Sequence, residues 1–140
     1  MTPLPYAGTN VPAEITQGQI TKLLYKAGAE ATRWSATRDG QTELAFVFPV
    51  KGHKVAFRIA APLLADRYGK PKPNETMRLL YWWLKSQVEA IQYGLMSVEE
   101  AFLAQAVASL EGQTVAEILL PRLRSGYQVL PALPEPEKEP

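Results

Sequence analysis

Residues 42–60 read TELAFVFPVKGHKVAFRIA, and apolar side chains take alternate positions on both sides of the central KGH. A period of two places alternate side chains on one face of a β-strand. We therefore predict a strand over residues 42–50, a turn over 51–53, and a second strand over 54–60. Pro49 has no amide to donate, which indicates that the first strand ends there or lies at a sheet edge.

A third strand is predicted before this pair. Over residues 30–37 the side chain of Trp34 alternates with polar neighbours such as Arg33. The following Asp39-Gly40 accepts the positive φ of a tight turn and joins this strand to the next. Three strands connected by short hairpins form an antiparallel meander, which has one apolar face and one polar face.

Helical spacing occurs on both sides of the meander. A first helix is predicted from Thr16, which has capping-box spacing to Gln19, to Gly28, which accepts the left-handed conformation that ends helices. A long helix over residues 74–93 carries a continuous apolar stripe, with Asn74 as its cap. We predict that this long helix covers the apolar face of the sheet.

Two shorter helices are predicted after the long one. Ser97 and Thr114 are each followed three residues later by a glutamate, which is the spacing of a capping box. The first box should open a helix that runs to about residue 109. The second should open a short helix that Pro121 kinks or stops.

The predicted fold class is therefore α+β, in the order α-β-β-β-α followed by two short helices. Residues 1–14 hold several prolines and little periodicity, so we predict an extended arm. Residues 15–130 are predicted to form a single domain. Residues 131–140 read PALPEPEKEP, which cannot supply a core, so we predict a disordered tail.

Composition restricts the class of protein. The 140 residues suffice for one domain with one core, and the absence of cysteine excludes disulfides and thiolate chemistry. No apolar run approaches the roughly 20 residues of a membrane span, and the N-terminus lacks the features of a secretory signal. We therefore expect a cytoplasmic protein with no membrane partner, and the 12 prolines favour a thermophilic source.

Catalytic residue types are scarce in this sequence. The only histidine, His53, lies in a predicted turn, where a solvated side chain is the ordinary interpretation. Glu99 and Glu100 are adjacent and point to different parts of a helix surface, so we interpret them as partners of the helix dipole. The sequence has no glycine-rich phosphate loop and no metal-ligand spacing. We therefore predict no enzymatic activity, no metal site and no cofactor.

Charge is unevenly distributed along the chain. Residues 1–88 carry 12 Lys or Arg and 6 Asp or Glu, a balance of +6, and residues 89–140 carry 3 and 8, a balance of −5. The polar face of the meander and its turn are predicted to carry Arg33, Lys51, Lys54 and Arg58. A basic sheet of low relief can follow a phosphate backbone, so we predict these residues to bind nucleic acid. The alternative is that they are solvated and protect the sheet from aggregation.

Two successive tryptophans lie in the long helix. Trp82 and Trp83 project about 100° apart and cannot both face one groove, so we expect one to be buried and the other to lie at an interface. An exposed tryptophan beside Arg78 and Lys85 suits base stacking or a protein contact. We therefore add both cations to the predicted nucleic-acid-binding residues.

Several short segments also carry a family resemblance. They are Lys22, Gly28-Ala29, Lys54-Val55-Ala56-Phe57, Pro62, Leu84-Lys85, Glu89-Ala90, Gly94, Glu99-Glu100-Ala101-Phe102-Leu103-Ala104, Gly112-Gln113-Thr114-Val115, Leu120-Pro121 and Pro131-Ala132-Leu133-Pro134. Together, over about residues 20–134, they resemble an uncharacterised family of small phage and mobile-element proteins. The resemblance implies a phage context and no particular reaction, and Trp82-Trp83 departs from the family. In topology alone, the element order is also similar to that of single-strand annealing proteins, which assemble as rings or filaments on single-stranded DNA.

The leading hypothesis from the sequence is a non-enzymatic, phage-type accessory protein that binds nucleic acid, expected to be single-stranded DNA, in recombination or replication. Self-association through the sheet edges belongs to this hypothesis, because a meander leaves two edges to pair. The alternative is a protein-interaction module that inhibits or modifies a host enzyme, such as RNA polymerase or a defence nuclease. In either case we expect the protein in the cytoplasm of the host cell.

Overall fold

The computed structural model of the protein describes residues 8–126. Its elements are the helix α1 Ala13–Ala27, the strands β1 Ala31–Ala36, β2 Thr42–Val50 and β3 His53–Ala60, and the helices α2 Pro73–Gln92, α3 Val98–Ala101 and α4 Val115–Arg124, with a 3₁₀ turn at Leu103–Gln105. This order confirms the predicted α+β fold. The first seven residues of the predicted arm and the whole predicted tail lie outside the described residues.

The sheet is antiparallel and has the strand order β1-β2-β3. Phe46 of the central strand pairs with Thr32 on one side and with Phe57 on the other. The pairing of β1 with β2 begins at Val47, so Pro49 lies beyond the part of β2 that has two neighbours. A proline is tolerated there because the missing amide removes no bond from the three-stranded part of the sheet.

The turn between β2 and β3 is one residue shorter than predicted. Val50 pairs with His53, so the connection consists of Lys51 and Gly52, whose φ angles are 49° and 81°. Two successive positive φ angles belong to the tight hairpin turns that match the twist of the flanking strands. His53 is therefore the first residue of β3 and not a turn residue.

One face of the sheet is covered by α1 and α2 together. The two helices run in the same direction, since the Ala13 amide donates to Asn74 Oδ1 and, further along, Arg78 donates to Gln19 Oε1. Phe102, from the chain after α3, fills the middle of the core, with its ring centroid 5.2 Å from that of Phe46. The most deeply buried apolar side chains are Ile20, Leu24, Leu44, Phe46, Phe57, Ala61, Leu84, Val88 and Phe102.

The starts of both long helices differ from the prediction for one shared reason. The side chain of Asn74 accepts a hydrogen bond from the Ala13 amide at 2.8 Å and so satisfies a free amide of α1, not of its own helix. The first helix therefore begins at Ala13 and not at Thr16, which is fully buried within it. The long helix begins at Pro73, a position that needs no amide partner.

The C-terminal half follows the predicted capping boxes but not the predicted lengths. Both boxes are present, at Ser97 and at Thr114. The helix opened by Ser97 ends at Ala101 and not near residue 109, because the chain turns Phe102 into the core and then pairs with β3, where the Val107 amide donates to the Ala56 carbonyl at 2.9 Å. Pro121 lies inside α4, so it does not stop this helix.

Candidate nucleic-acid interface

The sheet face opposite the core carries three of the predicted cations. Arg33 pairs with Ala45, which in turn pairs with Arg58, so the two guanidinium groups lie on the same row across the sheet. The next row consists of the small residues Ala31, Val47 and Ala56. Between these rows the surface has a shallow concavity of about 350 Å³. Of the predicted cations of this face, only Arg33 lines the concavity.

Arg58 is tied to the C-terminal part of the domain. Its guanidinium donates to Glu43 Oε1 at 3.5 Å, to the Gly112 carbonyl at 3.2 Å, and to Glu117 Oε1 in a close contact. The hydrogen bond from the Thr114 amide, together with the charge of Arg58, holds the pKa of the Glu117 carboxyl below its ordinary value. Arg58 thus connects α4 to the sheet, and two carboxylates already balance its charge.

The remaining cations of this face are exposed. Lys54 Nζ lies 3.5 Å from Glu30 Oε2, and because the two side chains are 78% and 42% exposed this ion pair stabilises the fold little. Lys51 lies at the tip of the β2–β3 turn. Arg33 forms no ion pair within residues 8–126. The carboxylates of Glu30 and Glu43 lie among these cations, which weakens the attraction of this face for a phosphate backbone.

A denser group of cations and aromatic rings lies on the exposed side of α2. Arg78, Trp82 and Lys85 follow one another at i, i+4 and i+7 and so share one face of the helix. The Arg78 guanidinium lies 4.6 Å from the ring centroid of Tyr81 and 5.9 Å from that of Trp82, and Lys85 Nζ lies 4.9 Å from the Trp82 ring. Trp82 is 46% exposed. Its ring is therefore held between two cations with part of its surface open to solvent.

The first helix adds two cations to the same side of the helix pair. Gln19 accepts a hydrogen bond from Arg78 at 2.6 Å, and Lys22 and Lys26 follow Gln19 at i+3 and i+7 on the same face of α1. Both lysines are exposed. We call this surface the helical patch, made of Lys22, Lys26, Arg78, Tyr81, Trp82 and Lys85.

Lys22 and Lys26 are not among the binding residues predicted from the sequence. The available signal was their position opposite the apolar stripe of the first helix. That signal could not place them beside Arg78, because the contact between Gln19 and Arg78 joins residues 59 positions apart.

The six predicted nucleic-acid-binding residues do not form a single site. The helices α1 and α2 cover the core face of the sheet, so their exposed side points away from it, whereas the polar sheet face points in the opposite direction. Arg78 and Lys85 belong to the helical patch. Arg33, Lys51, Lys54 and Arg58 belong to the polar sheet face and its turn.

The two tryptophans lie in different environments. Trp83 is half-buried, and its ring centroid lies 5.9 Å from that of Phe102 in an edge-to-face arrangement. Trp83 also lines a groove of about 500 Å³ between the 3₁₀ turn and α4, whose walls include Leu103, Leu119 and Leu123. These leucines are exposed by 57%, 41% and 52%. This apolar groove is a further exposed surface, besides the polar sheet face and the helical patch, and Trp82 does not line it.

The described residues offer few groups for metal binding. His53 is exposed at the start of β3. Within residues 8–126 no three His, Asp or Glu side chains come together as a metal site.

None of the helices in this part of the chain has the length and apolar character needed to cross a bilayer.

Comparisons with protein-family models, with curated proteins and with solved structures gave no match for this chain. The resemblance to phage proteins and the topological similarity to annealing proteins therefore stay predictions. The helical patch, the polar sheet face and the apolar groove are the surfaces on which a function can be based.

Proposed function

We propose that this protein is a non-enzymatic nucleic-acid-binding protein that holds single strands on the helical patch. The observation that carries the proposal is Trp82, a tryptophan that is 46% exposed and flanked by Arg78 and Lys85. An aromatic ring stacks on any base, and neighbouring cations neutralise the phosphates on either side. Neither cation forms an ion pair within the described chain, so no carboxylate there balances their charges.

The stacking ring favours single strands over duplexes. In a duplex the bases already stack on one another, whereas the splayed bases of a single strand can stack on aromatic side chains. The four cations of the helical patch, Lys22, Lys26, Arg78 and Lys85, supply the phosphate contacts. The polar sheet face contributes less to binding in this proposal, because Arg58 is already paired and Glu30 and Glu43 lie beside the remaining cations.

The biological setting of the proposal is a phage-type accessory role in recombination or replication, which the sequence resemblance supports. Self-association would then use the outer edge of β1, because the edge of β3 is partly occupied by the bond from Val107 to Ala56.

The proposal is tested by fluorescence anisotropy with labelled oligothymidylate and with a duplex of equal length, in the full chain at several salt concentrations. Replacing Arg78 and Lys85 together by alanine should weaken single-strand binding. It should also lower the slope of log K against log salt by about 1.4, since each phosphate contact to a single strand contributes about 0.7. Arg38, an exposed turn residue, provides the matched control when it is replaced by alanine. An unchanged salt slope in the double variant, or no binding by the wild type at low salt, contradicts the proposal.

The apolar groove supports a second candidate function, a protein-interaction module that inhibits or modifies a host enzyme. Val115 and Ala116 line the groove, and each begins a row of side chains along α4. Arg122 lies at i+7 from Val115 and Arg124 at i+8 from Ala116, so the two arginines continue these rows. The partner that fits is therefore an amphipathic helix with acidic residues beside its apolar stripe. A host protein captured in stoichiometric amount by the wild type, and lost when Leu123 is replaced by serine, would support this function. Equal capture by both proteins would contradict it.

A further inference from the structure

A preorganised hairpin lies directly before α2, within the segment that joins it to β3. Ala65 pairs with Pro71 across the hairpin, and the Lys72 amide donates to the Leu64 carbonyl at 2.9 Å. The residues between them form a tip that presents Arg67, Tyr68 and Lys70, all of which are exposed.

Asp66 fixes the shape of this tip. Its Oδ1 accepts hydrogen bonds from the Tyr68 amide at 2.8 Å and from the Lys70 amide at 2.9 Å. Backbone bonds from Asp66 to the Lys70 carbonyl and from Gly69 to the Asp66 carbonyl, both 2.9 Å, close the turn, and Gly69 has a φ of 79°. A ligand that binds the tip therefore does not have to order the loop first, which preserves binding free energy.

The side chains of the tip contribute nothing to the core. Tyr68 is 78% exposed, and the Arg67 guanidinium lies 4.9 Å from the centroid of its ring. This pairing of an exposed ring with a cation repeats the arrangement of Trp82 with Lys85, which are 4.9 Å apart. An exposed aromatic ring on a hydrogen-bonded turn, with a guanidinium over it, has the chemistry of a base-stacking platform.

The tip lies within reach of a strand bound at the helical patch. Trp82 is nine residues beyond Pro73, which is about 14 Å along the axis of α2. Tyr68 is five residues before Pro73, so at most about 18 Å of backbone separates them. The Cα atoms of the two residues are thus no more than about 32 Å apart, roughly nine nucleotides at the 3.4 Å spacing of a stacked strand.

We propose that Tyr68, with Arg67 over its ring, is a second stacking platform for the same single strand that binds Trp82. This inference rests on the proposed function and extends its binding path, because the strand would run between the tip and the exposed side of α2. Lys70, which is exposed, lies on the chain between the two platforms and would meet its phosphates, whereas Lys72 Nζ lies 3.6 Å from Glu75 Oε2 and is already paired.

The test measures the affinity of the full chain for labelled oligothymidylates of 4 and 15 nucleotides. Tyr68→Ala should weaken binding of the 15-mer by about fivefold or more, because a strand of this length exceeds the greatest possible separation of the two residues. It should change binding of the 4-mer less than twofold, because we expect a strand of about 14 Å to occupy the Trp82 platform alone. Tyr68→Phe should keep the wild-type affinity, since the ring and not the hydroxyl stacks. Tyr93→Ala is the matched control, because this exposed tyrosine lies at the other end of α2.

The outcomes separate this inference from the proposed function. Unchanged 15-mer affinity in Tyr68→Ala, together with weaker binding in Trp82→Ala, overturns the second platform and leaves the helical patch in place. Equal losses on the 4-mer and the 15-mer overturn the claim that the platforms are separate. If neither variant changes binding of the 15-mer, both proposals fail.

Discussion

Arg58 provides the sharpest distinction between a residue that supports the fold and a residue that binds phosphate. In the structure its guanidinium reaches Glu43, the Gly112 carbonyl and Glu117, so it joins the sheet to the segment that leads into α4. The substitution Arg58→Ala removes all three bonds and leaves the Glu43 carboxylate, 26% exposed, without its partner. We therefore expect the main effect of this substitution on stability and not on binding.

The size of the effect follows from burial. A hydrogen bond to a charged group contributes about 1.5–3 kcal/mol when it is buried. The Arg58 side chain is only 28% exposed, but Glu117 is 50% exposed, so the pair with Glu117 is partly screened. A loss of about 2 kcal/mol in the free energy of unfolding is the expected total. With a urea m-value of about 2 kcal/mol/M, the midpoint of unfolding should fall by about 1 M.

The assay is urea unfolding followed by circular dichroism, with Arg33→Ala as the matched control. Arg33 lies on the same row of the sheet but has no ion pair in residues 8–126, so its removal should change stability by less than about 0.5 kcal/mol. At a temperature where Arg58→Ala is folded, it should bind oligothymidylate within twofold of the wild type. Equal stabilities for the two variants, or a large loss of binding in a stable Arg58→Ala, would refute this account.

Three further predictions concern the fold and are checked by the same unfolding assay. Phe102→Ala should lower the free energy of unfolding by about 3–5 kcal/mol, because the ring is fully buried among Phe46, Phe57 and Trp83; a loss below 1 kcal/mol would contradict its central position. Asn74→Ala should lower it by about 1 kcal/mol through the lost cap of α1, and Asn74→Asp, which keeps the acceptor, should retain most of the stability. The pKa of the Glu117 carboxyl is lower in the folded state than in the unfolded state. The stability that this carboxylate contributes is therefore fully present above the unfolded-state pKa, and it is lost as the pH falls through the folded-state pKa. Glu117→Gln should therefore reduce the loss of stability as the pH falls below the ordinary glutamate pKa of 4.5, and an unchanged pH profile would exclude Glu117 as a source of that loss.

The sheet could be predicted from the sequence because its signals are local. Alternation in TELAFVFPV and a two-residue turn at Lys51-Gly52 fix strand, register and face within one hairpin. The prediction for this hairpin is wrong at one residue, His53, which is the first residue of β3 and not part of the turn. The polar face followed from the same period of two.

The helix starts were less predictable because the decisive contacts are tertiary. Asn74 has the residue type of a helix cap, but its acceptor serves the Ala13 amide 61 positions away. In the same way, nothing near Phe102 in the sequence indicates that the helix after Ser97 must end there to place this ring in the core. A capping residue type indicates that a helix begins nearby. It does not show which helix donates the amide that its side chain accepts.

The candidate site was predictable in its residue types and not in its grouping. Helical spacing alone places Trp82 and Trp83 about 100° apart, and only the position of Phe102 decides that Trp83 packs inward. Arg58 has the charge of a phosphate ligand, but carboxylates on β2 and α4 already pair with it. The hairpin tip at Tyr68 lay within a segment that the sequence described only as a loop.

The central claim, that the helical patch holds single strands by stacking on Trp82, is tested most directly by one equilibrium measurement. The affinity for a 15-nucleotide oligothymidylate is measured for the wild type and for Trp82→Ala, both shown to be folded by circular dichroism. Loss of one stacked base should weaken binding by at least about fivefold, since such contacts contribute about 1–3 kcal/mol. An affinity for Trp82→Ala within twofold of the wild type would contradict the claim.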